Sequence, residues 1–371
     1  MINVTKPNLP ELSEFMPYLE EIWKSGVLTN NGRFHQELER ALAEYLGLNH
    51  VSLVCNATIG LMLAQEVLGL RGSDVITTPY SFAATAHSIM WMANRPIFVD
   101  IEPDSACLDP NLIERALTQN TKAIMPLHCY GNTCRTDAIQ QIAQRHNLKV
   151  IYDACHSFGV TDDGGSVLRH GDISVISFHA TKIFNTFEGG LIVAPDEETK
   201  IKVDRLKNFG FLNEEVVTSS GINGKLNEVS AAFGLVQLNR MEGYIAARAE
   251  IDRVYRARLA AVPGVKCLEP VRQIKRNYAY FPVVVEESFP LSRENLYRDL
   301  RHRGIGARRY FYPLITDFDS VRGRGFNTDD RFTNASALSS RVLCLPLYPA
   351  LSLSDVEFIC DSIEQVYLKS G

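Results

Sequence analysis

Between residues 50 and 195 the chain alternates seven apolar, β-branched runs with stretches of helical length: HVSLVCN, DVITTP, PIFVDI, KAIMPLH, KVIYDA, ISVISFH and GLIVAP. Runs that stay apolar at successive positions belong to strands covered on both faces, and the intervening helices are what cover them. The pattern predicts one large α/β domain around a mostly parallel sheet. Hydrophobic residues make up 46% of the 371, enough to fill a sizeable core and to argue against disorder.

Ahead of this region, Leu12–Lys24 and Phe34–Leu46 read as helices, with SGVLTNNG between them as a connector or the rim of a substrate mouth. Among the strands, Asn111–Leu117 and Thr136–Arg145 have helical spacing, the second stopped by Asn147. After Gly224, Asn227–Leu259 keeps a long helical period and is expected to carry the chain out of the large domain. KCLEP, YAYFPVVV and a helix over Arg293–Arg303 then suggest a smaller α+β domain with its own sheet. In the last segment, Ser354 and Glu357 have capping-box spacing. The expected division is 1–245 for the large domain with its N-terminal helices and 246–371 for the small one. With no repeat or flexible linker, the two should pack closely.

A net charge of -5 gives no general attraction to nucleic acid or anionic lipid. No apolar run reaches the roughly 18 residues that span a bilayer. The start, MINVTKPNLPELSEF, lacks the basic-then-apolar order of a signal peptide, so a cytoplasmic location is expected. The eight cysteines form no CxxC pair and are expected to be buried, reduced thiols.

Lys182 is the residue whose surroundings suggest chemistry. It follows the apolar run ISVISFH and precedes Gly189-Gly190, and a lysine desolvated in such a place becomes an amine nucleophile. Asp153 ends another apolar run, where an open parallel sheet has its ligand crevice. A buried carboxylate calls for a cationic partner, either a structural salt bridge or a protonated ring nitrogen. A lysine able to form a Schiff base and a carboxylate able to hold a pyridinium proton are together what pyridoxal phosphate (PLP) requires. Asn56-Ala57-Thr58 opens a helix after the first strand, which suits a phosphate or serves as a plain cap. Ser177 lies five residues before Lys182, within reach of the same phosphate or of backbone. Phe82 is placed to stack on a flat ring or to join the core, and His156 to bond a ring hydroxyl or to serve structure alone. His128, Cys129, Cys134, Asp153, Cys155 and His156 match no common zinc spacing, and nothing marks Cys155 as an activated nucleophile. No metal is expected.

Taken in order, NAT, TPYSFAAT, PLHCYG, DACHS, SFHATK with its following GG, GINGKLNE and LPLYPALS resemble the DegT/DnrJ/EryC1/StrS family of nucleotide-sugar aminotransferases over nearly the whole chain. The DxxH and SxxxxK pair and the GxNxKxNE segment are the more specific parts. The resemblance implies the aspartate aminotransferase-like fold type I, with a seven-stranded, mainly parallel sheet and a smaller C-terminal domain. It implies that Lys182 is linked to the PLP aldehyde, that Asp153 meets the pyridine nitrogen and that His156 lies near the ring hydroxyl. Many members have glutamine there, whereas others, including some that aminate C4 of a sugar, have histidine. Ala57, Thr58 and Ser177 would bind the phosphate, with Phe82 against the ring. Asn223 would reach the phosphate of a neighbouring subunit, which implies a homodimer with shared active sites. Relatives with histidine in place of the lysine are sugar dehydratases, and Lys182 argues against that branch.

The reaction so implied moves an amino group from L-glutamate to a 4-keto-6-deoxy hexose on a nucleoside diphosphate. Arg308, Arg309 and Tyr310 in GIGARRYFYPL read as diphosphate or sugar contacts, or as a solvent-facing basic turn. The RRYFYPL wording resembles dTDP-sugar members that form dTDP-4-amino-4,6-dideoxyglucose. Amination at C3, the galacto epimer, and a UDP- or GDP-linked sugar are the neighbouring alternatives. A PLP-binding sensor without turnover is the reading from another class, and an absorption response to an amino donor separates the two.

Overall fold

The computed structural model describes residues 1–271, 275–327 and 332–369. Two helices, α1 (Leu12–Ser25) and α2 (Arg33–Leu46), lead into β1 (Val51–Val54), α3 (Ala57–Val67), β2 (Asp74–Thr77), α4 (Ala83–Trp91), β3 (Arg95–Phe98), β4 (Thr121–Ile124), α5 (Thr136–His146) and β5 (Lys149–Asp153). A short ribbon, β6 (Thr161–Asp162) and β7 (Gly165–Ser166), precedes β8 (Ile173–Ser177), β9 (Gly190–Val193) and α6 (Glu197–Leu206). The seven long strands form one sheet in the order β1-β9-β8-β5-β4-β2-β3, and only β9 runs antiparallel to its neighbours. Each of the seven apolar runs supplies one of these strands.

Alternate residues of each central strand enter different cores. Leu53, Ile176 and Leu191 face α2 with Leu38 and Leu42, while Val54, Val175 and Ile192 face α3 with Leu61 and Ala64. Both faces are therefore dry, which is why the runs read as continuously apolar.

The long period over Asn227–Leu259 resolves into two helices, α7 (Glu228–Leu238) and α8 (Met241–Leu259). The break lets α7 lie on α1 and α2 while α8 departs. Met241 and Ile245 of α8 pack in the core beneath α2, whereas Ile251, Tyr255 and Leu259 pack in a separate one. That second core lies under the antiparallel sheet of β10 (Val265–Cys267), β11 (Phe281–Val285) and β12 (Val342–Leu345). Helices α9 (Arg293–His302), α10 (Thr333–Arg341) and α11 (Leu353–Leu368) complete the smaller unit.

The two units are joined further by Ile2, which bridges to Ile305, and by Phe311, Leu314, Phe332 and Ala335, which share a core with Phe98 and Val99. Two local expectations change. Asn111–Leu117 is two 3-10 turns, Pro110–Leu112 and Glu114–Ala116, because Asp109 caps Asn111 ahead of a segment too short to sustain an α-helix. The last helix is capped by Ser352, whose hydroxyl accepts from the Asp355 amide, so the capping position lies two residues before Ser354.

All eight cysteines are free thiols, with Cys107, Cys129, Cys134, Cys344 and Cys360 buried and Cys55, Cys155 and Cys267 half-buried. Among the described residues no helix is long and apolar enough to cross a membrane, and no cluster of three or more His, Cys, Asp or Glu is arranged to hold a metal ion.

Candidate active site

The sheet register brings the candidate residues to one edge. Gly190, at the start of β9, lies opposite both Val54 and Ser177, so the end of β8 and the start of α3 flank a single glycine. A Cβ at Gly190 would stand 3.0 Å from the Ala57 nitrogen and 2.9 Å from the Ile176 carbonyl oxygen. The close approach of helix to strand needs a residue with no side chain.

Asn56 caps α3, its Oδ1 accepting from the Ile59 amide at 2.9 Å, while the Gly60 amide bonds the Asn56 carbonyl. The amides of Ala57 and Thr58 belong to the first turn, which has no acceptor within the helix, and this positive end is what an anion needs. Ser177 is half-buried and its hydroxyl accepts from the His179 amide at 3.3 Å. Phe82 is the N-cap residue of α4 and is 60% exposed, so it belongs to the rim and not to the core.

Asp153 ends β5 and is 3% exposed. Thr85 donates its hydroxyl to Oδ2 at 2.6 Å, and the Cys155 amide donates to Oδ1 at 3.2 Å. Because Thr85 spends its proton on Asp153, the Ser81 hydroxyl, 2.6 Å from Thr85 Oγ1, donates in turn to Thr85. Every one of these donors is neutral. A buried carboxylate whose direct donors are all neutral is oriented with no cation bonded to it, and a protonated pyridine nitrogen fits that place.

Lys182 sits in the loop that follows β8, closed at its base by bonds from the Phe178 amide to the Gly189 carbonyl and from the Thr186 amide to the Phe178 carbonyl. The next two residues, Ile183 and Phe184, are buried beside Phe158 and Phe178, which pins the loop. Lys182 Nζ donates to Tyr280 Oη at 3.2 Å. Burial works against its ammonium, but the Tyr280 hydroxyl that accepts from it and the nearby Asp153 carboxylate outweigh it and hold the pKa above the ordinary lysine value.

His156 is 4% exposed, and its Nδ1 accepts from the Tyr130 amide at 3.1 Å. Burial, with the Lys182 charge, pushes its pKa well below the usual value. The ring is therefore neutral, with its proton on Nε2 as a donor. Burial and the adjacent Asp153 push the Cys155 thiol far upward, so it is no nucleophile. His128 is stacked on Tyr152 with centroids 4.5 Å apart, and burial pulls it down to about 3, a structural ring.

On the smaller unit, Tyr310 reaches the site: its ring lies perpendicular to that of Tyr280 at 5.9 Å, and its carbonyl accepts from the Tyr80 and Tyr130 hydroxyls. Arg308 is exposed beside Tyr310, with its guanidinium 5.9 Å from that ring. Arg309 points elsewhere, paired with Glu294 at 2.8 Å and set over Tyr297. Asn223 is exposed, and its neighbour Gly224 accepts the Cys55 amide, which keeps the segment close to the start of α3.

Sequence reasoning passed over Tyr280, Thr85 and Tyr130. The TPYSFAAT segment contains Thr85, but only the fold shows its hydroxyl on Asp153.

A buried lysine, a buried carboxylate bonded only by neutral donors and a helix N-terminus share one edge of this sheet, the arrangement that a transferase of fold type I requires. Comparison with known proteins agrees. The chain belongs to the DegT/DnrJ/EryC1/StrS aminotransferase family, whose model matches residues 11–364. It is 52% identical over 365 residues to a dTDP-4-amino-4,6-dideoxy-D-glucose transaminase of Shigella dysenteriae, covering 98% of this chain and 99% of that one. A transaminase of the same name from Escherichia coli is 48% identical, with 95% of each chain covered. Among solved structures, DesI in the presence of its TDP-sugar product superposes with a TM-score of 0.94 at 32% identity, covering 100% of this chain and 93% of that one. Helicobacter pylori PseC, an aminotransferase of pseudoaminic acid biosynthesis, does so at 0.92 and 27% identity, with 99% of each covered. The chain is thus an aminotransferase of a family acting on nucleotide sugars.

Proposed function

We propose that this chain binds PLP and transfers the amino group of L-glutamate to the C4 keto group of a dTDP-linked 4-keto-6-deoxy hexose, giving dTDP-4-amino-4,6-dideoxy-D-glucose. The observation that carries the reading is Asp153, a buried carboxylate beside Lys182 whose hydrogen-bond donors are all neutral. The sugar rests on the 52% identity, end to end, with the Shigella transaminase. When bound, the cofactor supplies an electron sink for the carbanion formed at the carbon losing its proton.

The protein's own part is division of labour. Asp153 keeps the ring nitrogen charged, and Lys182 carries the cofactor and then moves one proton off the donor carbon and later onto the sugar carbon. The amides of Ala57 and Thr58 and the Ser177 hydroxyl hold the phosphate, Phe82 covers the ring, and neutral His156 donates to the ring hydroxyl. Arg308 and Tyr310 face the sugar diphosphate. Arg309 serves that contact only by leaving Glu294.

The exposed segment around Asn223 presents Phe209, Phe211, Val216, Val217 and Ile222. Apolar exposure on that scale supports a second copy of the chain as its cover, with Asn223 completing the partner's phosphate site in a cytoplasmic homodimer.

Purified protein supplied with PLP, L-glutamate and, in turn, the dTDP-, UDP- and GDP-linked 4-keto sugars provides the test, with NMR of the product. The expected result is fast turnover of the dTDP sugar to the equatorial 4-amine. Preference for another nucleotide, or amination at C3, would overturn the substrate assignment, and no amination of any sugar would overturn the reading itself.

A further inference from the structure

A lysine that both anchors a cofactor and shuttles a proton faces a positional problem. Once the amino donor displaces it, a flexible four-carbon stem must keep the amine within reach of the reacting carbon. The segment before β11 supplies a hold for that stem. Tyr280 Oη lies 3.2 Å from Lys182 Nζ, and the amine is 5.8 Å from the ring centroid, so it meets the hydroxyl rim of the ring and not its face.

The tyrosine is itself immobilised. Its ring stands 4.7 Å from His156 at 60°, 5.8 Å from Tyr130 and 5.9 Å from Tyr310. The other groups facing the amine are Asp153, which ends β5, and Cys155 and His156 just past it. Of these Asp153 is the only anion, since burial raises the Cys155 thiol and lowers the His156 ring.

Burial also raises the Tyr280 hydroxyl, against the pull of Lys182, so it stays protonated. A neutral hydroxyl accepts from an ammonium and donates to a free amine, and it serves both states without changing its own charge.

We propose that Tyr280 is a positioning residue that holds the released amine of Lys182 in place while it carries the substrate proton. This rests on the aminotransferase reading above. The proton leaves the donor carbon for Nζ, remains there as ammonium bonded to Tyr280 Oη, and returns from Nζ to carbon. Tyr280 neither gains nor loses a proton.

Tyr280→Phe keeps the ring and its packing and removes only the hydroxyl. Loss of a hydrogen bond to a charged group is expected to lower kcat about tenfold or more. The sugar KM should stay within about twofold, because the lost contact does not bind sugar.

A second measurement uses cofactor-free protein. Competitive labelling with acetic anhydride across pH, with mass spectrometry of the peptide containing Lys182, reports where the amine titrates. Removing an acceptor of the ammonium should move that midpoint to lower pH. An unmoved midpoint, or an unchanged kcat, overturns the proposal. Retention of turnover by Lys182→Ala would instead sink the aminotransferase reading, so the two failures are distinguishable.

Discussion

Two clusters of buried charge flank the large sheet, and they are built on opposite plans. In the first, Lys207 is 6% exposed and reaches Asp204 at 2.7 Å, Ser52 at 2.7 Å and Glu39 at 3.3 Å. Lys200 adds a second cation to the same two acids at 2.6 and 3.4 Å, and Glu39 also takes the Leu53 amide. In the second, Asp153 is bonded by neutral groups, the Thr85 hydroxyl and the Cys155 amide among them, and the Lys182 ammonium acts on it from farther off. A paired network finishes its own electrostatics and ties strand to helix. A carboxylate oriented by neutral donors, with no cation bonded to it, is arranged for something that arrives later.

Substitutions can break that contrast. Lys182→Ala should reduce turnover by at least about a thousandfold while the fold persists; single-turnover amination of the keto sugar, alongside circular dichroism, would show otherwise. Asp153→Asn should lower kcat about a hundredfold or more. The melting temperature of the cofactor-free variant should change by no more than about a few degrees, because the removed cost of a buried charge is offset by the lost attraction to the Lys182 ammonium. Lys207→Met should do the reverse and cost about 2–3 kcal/mol in urea unfolding, since Glu39 and Asp204 lose their shared cation. Its kcat per folded molecule should stay at the wild-type value. If Asp153→Asn melted the protein and Lys207→Met did not, the assignment of roles would be inverted.

A pH titration sharpens the same point. Burial tends to raise the Glu39 carboxyl, but His35, Lys207 and Lys200 overcome it and hold the group well below the ordinary 4.5. A folded pKa below the unfolded one gives stability that is complete above about 4.5 and is lost as pH falls below it. The stability gap between wild type and Glu39→Gln should therefore be constant above that pH and close beneath it; a gap that widens in acid would show the network is not what lowers the carboxyl. The smallest effect concerns the rim. Asn56→Ala removes the cap of α3 and should cost about 1 kcal/mol, read from the urea midpoint.

The seven strands were legible because each is dry on both faces, so the runs before Asn56, Asp153 and Ser177 needed no partner to be recognised. Lys182, Asp153 and Ser177 could be singled out for the same reason, since each stands at or just past the end of such a run. The break between α7 and α8 was hidden because both helices keep a similar apolar period while packing on different neighbours. Tyr280 was hidden because its role depends on Lys182, a residue nearly a hundred positions away. Arg309 looked like Arg308 in sequence, and only the position of Glu294 on α9 tells them apart.

Helix α8 contributes Met241 and Ile245 to one core and Ile251, Tyr255 and Leu259 to the other, without interruption. A rod set into both masonry blocks cannot loosen at one end and stay straight at the other. The larger and smaller units are thereby bound to a common fate, and the chain is expected to melt in one transition although its sheets are two.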